Sequence, residues 1–143
     1  MKYKFEIQGR LDALNEYTSA NRQNYQAGGR MKRDNENLII WSIRQHLKNL
    51  HIEKPVIIHY NFYEQNKKRD NDNILSCAAK FIQDSLVKAK VLQNDSQKFI
   101  HRFWFDTWTD QVNPRIEVEI YEIEREWLSY SLLEIIKLLE VGG

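Results

Sequence analysis

Two aspartates one residue apart, Asp70 and Asp72, stand directly behind three cations in 67-KKRDND-72. Carboxylates this close repel one another unless positive charge lies between them. A hard divalent cation such as Mg²⁺ or Mn²⁺ favours oxygen ligands of this kind. Read as the end of an extended segment entering a helix, positions i and i+2 point to the same side, so both carboxylates could address one ion. Asp and Asn are also preferred helix N-caps, and Asn71-Asp72-Asn73 offers several. One cap explains one aspartate; it leaves the other, and the adjacent Lys67, Lys68 and Arg69, without a reason. A third carboxylate, Asp95, lies in the polar turn 92-LQNDSQ-97. A helix of about 18 residues, roughly 27 Å long, separates it from the pair. The chain must carry Asp95 back if the three are to meet, and spacing alone does not decide whether it does.

The elements that would position these groups follow from periodicity. Tyr3, Phe5 and Ile7 alternate with polar residues, the pattern of a half-buried strand. Residues 9–30 show no clean period and are rich in Asn, Gln, Ser and Gly, so a long loop is expected there. Ile40, Ile43, Leu47 and Leu50 mark one face of a helix over 34–50, with Asn37, Arg44 and Lys48 opposite. After Pro55, 56-VIIHYNFYE-64 reads as a second strand with bulky residues on both faces. Ile74, Ala78, Ile82 and Leu86 recur every fourth position and predict a helix over 73–90. Segments 98–108 and 115–124, joined by 109-TDQVNP-114, read as a hairpin with an Asn-Pro turn. Residues 126–141 read as a terminal helix closed by Gly142 and Gly143. The order β-loop-α-β-α-β-β-α predicts an α+β fold, a single mixed sheet with packed helices. Residues 1–125 would form the functional domain and 126–143 a helical extension of it.

Composition narrows the classes. The chain has 143 residues, 42% of them hydrophobic and 12% aromatic, which suits one domain with a real core. No apolar run approaches the ~20 residues that span a bilayer, and MKYKFEIQGR has no signal-peptide core. The single cysteine, Cys77, excludes an intrachain disulfide and suits a reducing cytoplasm. It lies mid-helix, a place for a small core residue. His46, His51, His59 and His101 lack zinc-ligand spacing, and no motif for an organic cofactor is present. The net charge of +1 hides a division: residues 1–69 carry 13 Lys/Arg against 7 Asp/Glu, and residues 70–143 carry 8 against 13. A basic half next to carboxylates suits a polyanionic partner, although two solvated faces give the same count.

Taken together, D-N-D-N at 70–73, Lys80 and 84-DSLVKAKVLQND-95 resemble the RusA family of phage and prophage Holliday junction resolvases. The family signature is D-x-D-N-x-x-K, then D-A-L, then a turn with a further Asp. The resemblance covers about residues 3–121, with 7-IQGRLDALNEYTSANRQN-24 and 113-NPRIEVEI-120 matching its flanks. It departs at Ser76, where the signature has its lysine. Lys80 comes four residues later, about 6 Å along the same helix face, and becomes the candidate for that lysine. Its alternative role is an i,i+4 ion pair with Asp84.

The resemblance implies a homodimeric, metal-dependent endonuclease that makes paired symmetric cuts at a four-way DNA junction in a bacterial cytoplasm. Asp70, Asp72 and Asp95 would hold Mg²⁺ or Mn²⁺, with Lys80 at the scissile phosphate or leaving oxygen. Arg22, Arg30, Lys32, Arg33, Lys67, Lys68 and Arg69 would bind DNA backbone. Tyr17 and Tyr25 would either stack on opened bases or anchor their segment to the domain. Two alternatives stay open: a nuclease of flaps or other branched DNA, and a junction-binding protein that does not cut.

Overall fold

The segment 56-VIIHYNFYE-64 has bulky side chains on both faces because both faces are covered. In the computed structural model, which describes residues 1–11 and 14–142, it is β2 (Val56–Glu64), an interior strand of a four-stranded sheet. Its neighbours are β3 (Ile100–Thr109), paired parallel, and β4 (Arg115–Glu122), paired antiparallel. Outside β4 runs β1 (Lys2–Gln8), antiparallel, so the order is β1-β4-β2-β3 and the sheet is mixed. Val56, Ile58, Tyr60 and Phe62 point into the larger core with Phe5, Ile7, Val118 and Ile120. Two helices close that core: α2 (Tyr25–Leu47), through Ile39 and Ile43, and α3 (Asn71–Lys88), through Ile74, Ala78, Ile82 and Leu86. Their buried stripes have helical spacing, and burial of such side chains contributes about 1.5–3 kcal/mol each. The opposite sheet face is half covered. There α4 (Leu132–Gly142) buries Ile135 against Ile57 and Ile123, with Trp104, Tyr121 and Trp127 alongside. The α+β expectation holds: helices and a mixed sheet form one domain.

Three expectations about elements are corrected. The long loop predicted over 9–30 is largely helical, with α1 (Leu14–Gln23) and the first turns of α2. Asn24 separates the two as an N-cap, its side chain accepting from the Ala27 N–H at 2.7 Å. These helices escape a periodicity reading because their buried stripe is narrow: Ala20 is buried, while Tyr17 packs edge-on against Phe81 at 5.6 Å. At Gly28, a poor helix former, an added Cβ would displace the exposed Asn21 side chain of α1.

The predicted hairpin is absent: β3 and β4 lie on opposite sides of β2. The connection crosses the end of β2, where the Asp110 N–H donates to the Glu64 carbonyl at 2.7 Å. Asp110 then folds the turn by accepting from the Val112 and Asn113 N–H groups and from Arg115. Alternating strands have the same side-chain period whichever neighbour they pair with, so period could not reveal the inserted strand.

The terminal helix is broken. A 3₁₀ turn (Arg125–Ser129) precedes an extended Tyr130, and α4 starts afresh. Ser131 and Glu134 exchange side-chain–backbone hydrogen bonds at 3.0 and 3.2 Å. This is the capping box S-x-x-E, a start signal that can be read in 131-SLLE-134.

The open part of the second sheet face carries a charge network. Lys2 and His59 meet Glu119 at 2.6 and 2.9 Å, while Lys4 and Arg115 meet Glu117, each at 2.8 Å. Burial opposes ionisation of both glutamates, but the hydrogen bonds from Lys4 and Arg115 to Glu117, and from Lys2 and His59 to Glu119, prevail and hold both carboxyls below the usual range. A depressed folded pKa gives stability that is present above the unfolded value and lost as pH falls through the folded one. Urea unfolding should therefore show stability falling below about pH 4.5, the unfolded value. A Glu117→Gln/Glu119→Gln protein should show a smaller fall, and an unchanged acid slope would contradict the assignment.

Candidate active site

The chain leaves β2 at Glu64 and enters α3 at Asn71, so residues 65–70 form the turn that positions the aspartate pair. Asp70 is the N-cap residue of α3, with extended backbone (φ −71°, ψ 149°), yet its side chain makes no capping hydrogen bond. Capping therefore does not occupy its carboxylate. Asp72 lies within the first helical turn, exposed, and accepts the Asn73 N–H at 3.0 Å. The boundary between extended and helical backbone falls between the two aspartates, so the expected i, i+2 alternation does not relate them. The helix dipole favours negative charge at both positions. Beside them opens a cleft of about 310 Å³ lined by Asn66, Lys67, Asn71, Thr107 and Trp108. Thr107 donates to the Asn71 side chain at 3.1 Å, which ties the start of α3 to the end of β3.

Asp95 does not join the pair within one chain. It is exposed and lines a different cleft, of about 300 Å³, with Gln83, Ile100 and Phe103 at the start of β3. Two rulers bracket the scale of the separation. Gln83 is eleven residues beyond Asp72 along α3, roughly 16 Å. Ile100 is seven residues before Thr107 along β3, roughly 23 Å. Accordingly, no group of three or more His, Cys, Asp or Glu that could hold a metal ion exists among the described residues. Within one chain, Asp70 and Asp72 stand at the start of α3 and Asp95 stands apart from them.

Lys80 makes the i,i+4 ion pair with Asp84. Its Nζ lies 3.3 Å from Asp84, and Lys32 of α2 approaches the same carboxylate at 3.5 Å. Asp72, Ser76, Lys80 and Asp84 follow one another at intervals of four on one α3 face. Lys80 is two turns from Asp72, about 12 Å along the axis, and its side chain is 64% exposed.

The basic residues divide. Arg22, Arg30, Arg33, Lys67 and Lys68 are exposed. Arg69 is a correction. Its Nε and Nη2 donate to the two Glu64 oxygens at 2.7 and 2.8 Å, and its Nη1 donates to the Leu11 carbonyl at 3.0 Å. The side chain is only 12% exposed. Arg69 anchors the turn. Sequence reasoning missed Thr107 because its partner Asn71 is 36 residues away, and Glu64 because the turn that folds Arg69 back onto it has no periodic signal. Tyr17 is an anchor on Phe81, and the Tyr25 side chain lies outside the described residues. Cys77 is buried in the core.

Residues 4–121 match the family described as endodeoxyribonuclease RusA. The chain belongs to the RusA family. The match runs from β1 to β4 and includes Asp70, Asp72, Lys80 and Asp95, so the turn, α3 and the loop after it are family territory. No curated protein matches the chain. Among the described residues, no helix of this RusA-family protein is long and apolar enough to cross a membrane.

Proposed function

We propose that the protein is a homodimeric, Mg²⁺- or Mn²⁺-dependent endonuclease that resolves four-way DNA junctions by paired symmetric cuts. The observation that carries this reading is the family match across both aspartate-bearing segments. Symmetric cutting of two strands requires two sites related by a twofold axis, hence a dimer. The geometry of α3 gives the dimer a second reason: Asp70 and Asp72 stand at one end of the helix, and Asp95 follows the other.

The exposed edge of the sheet offers a way to unite them. β3 is an edge strand ten residues long, with Phe103 43% exposed. An unpaired edge of this kind is a template for another strand. Antiparallel pairing of β3 with β3 of the partner subunit, about a twofold normal to the sheet, sets the start of one strand against the end of the other. It also keeps both helix layers on one side. Asp95, beside the start of β3, then faces the Asp70–Asp72 turn of the partner subunit across a strand spacing of about 4.8 Å. Each site would draw two carboxylates from one subunit and one from the other.

When bound, a divalent ion there supplies an acidic water and a sink for charge on the phosphorane-like transition state. The protein's own contribution is to present the carboxylates, to set Lys67 and Lys68 beside the entering strand, and to keep Lys80 on the DNA-facing side of α3. The test is cleavage of a synthetic four-way junction with Mg²⁺ or Mn²⁺. Paired nicks in opposed strands are expected. Cutting of flaps but not junctions, or binding without cutting, would overturn the reading.

A further inference from the structure

At the end of α3 remote from Asp70, the segments that follow α2 and α3 are stitched together. His51 Nδ1 lies 2.9 Å from the Lys90 carbonyl, and the Ile52 N–H donates to the Val91 carbonyl at 2.8 Å. These contacts shape a cleft of about 560 Å³ whose lining includes Arg44, Lys48, His51, Lys88 and Lys90 and no carboxylate. Lys88 is neutralised by Glu36 at 2.7 Å. Among the described residues, Arg44, Lys48 and Lys90 enter no ion pair.

The backbone adds an independent observation. Lys48 (φ 56°) and Lys90 (φ 64°) are the only non-glycine residues with positive φ among the described residues, and both line this cleft. Lys90 closes α3 in a Schellman pattern: the Val91 N–H donates to the Leu86 carbonyl at 2.9 Å and the Lys90 N–H to the Val87 carbonyl at 3.0 Å. Glycine is the favoured residue at such a position because a Cβ is strained there. Negative partial charge at two helix ends attracts cations, but it does not account for lysine in place of glycine at both left-handed positions. A ligand that needs the two ammonium groups does.

We propose that this cleft binds backbone phosphates of a DNA arm. The proposal rests on the reading of the chain as a nuclease of branched DNA.

The experiment compares the full chain with a Lys48→Gly/Lys90→Gly variant, in EDTA, on a four-way junction. Glycine suits both positions, so the variant's melting temperature should equal or exceed that of the wild type. Its affinity for the junction should fall roughly tenfold, and the slope of log K against log salt should shrink by about 1–2, the release expected for one or two phosphates. Unchanged affinity, or an unchanged salt slope, would overturn the proposal while leaving the nuclease reading intact. A wild-type protein that bound no branched DNA would overturn both.

Discussion

A mixture of Asp72→Asn and Asp95→Asn chains, unfolded and refolded together, is expected to cut a four-way junction that neither variant cuts alone. On the proposed reading, each substitution removes a ligand from every site of its own homodimer. Loss of several kcal/mol of charge stabilisation slows cleavage by about a hundredfold or more. In a mixed dimer the losses fall together. One site collects both substitutions and is dead; the other combines Asp70 and Asp72 of one chain with Asp95 of its partner and is intact. Random pairing makes half of the dimers mixed, each with one working site of two, so about a quarter of wild-type sites should return. Because each mixed dimer cuts one strand only, the product should be a nicked junction instead of resolved duplexes. Activity that stays absent would place the three carboxylates in one chain after all, against the separation along α3. Full cleavage by Asp95→Asn alone would remove that residue from the site.

This outcome also marks how far the sequence could be read. The elements that hold the chemistry were legible: the four-residue spacing of Ile74, Ala78, Ile82 and Leu86 is the buried face of α3, and 56-VIIHYNFYE-64 is the interior strand before it. The aspartate pair could be placed at the start of α3 because the helical period begins there. What a one-dimensional pattern lacks is a sense of which strands become neighbours. The predicted hairpin failed because β2 inserts between β3 and β4, and that same insertion leaves β3 at the sheet edge. The relation of Asp95 to Asp70 is hidden for the same reason, since it depends on where the chain travels after α3. The first two helices were missed for a different cause. Among the described side chains, α1 and the start of α2 bury few large apolar residues, and the stretch contains two adjacent glycines, so the signal visible there lies in the Asn24 cap.

Arg69 shows the same limit at the level of one side chain, and its removal is expected to unfold the protein more than to weaken its hold on DNA. The sequence sets it in a run of three cations, where a phosphate contact is the natural reading. The structure gives it Glu64, whose side chain is 8% exposed, through two parallel hydrogen bonds, and the Leu11 carbonyl through a third. The Glu64 backbone carbonyl meanwhile holds Asp110, where the chain crosses from β3 to β4. Arg69 thus ties together the turn before α3, the segment before α1 and the end of the sheet. Arg69→Ala would leave a shielded carboxylate without its partner, a loss of about 3 kcal/mol, or a fall of about 10 °C in melting temperature for a chain of this size. Replacing both residues at once, Arg69→Met with Glu64→Leu, should recover much of that stability, because the cost lies in the unpaired charge more than in the lost pair. In EDTA, below the melting transition, Arg69→Ala should keep the wild-type salt slope for junction binding, whereas Lys67→Ala and Lys68→Ala should each reduce it by about 0.9. A stable Arg69→Ala protein with a reduced salt slope would return Arg69 to the DNA surface. It would also mean that the turn carrying Asp70 is held in place by something other than this ion pair.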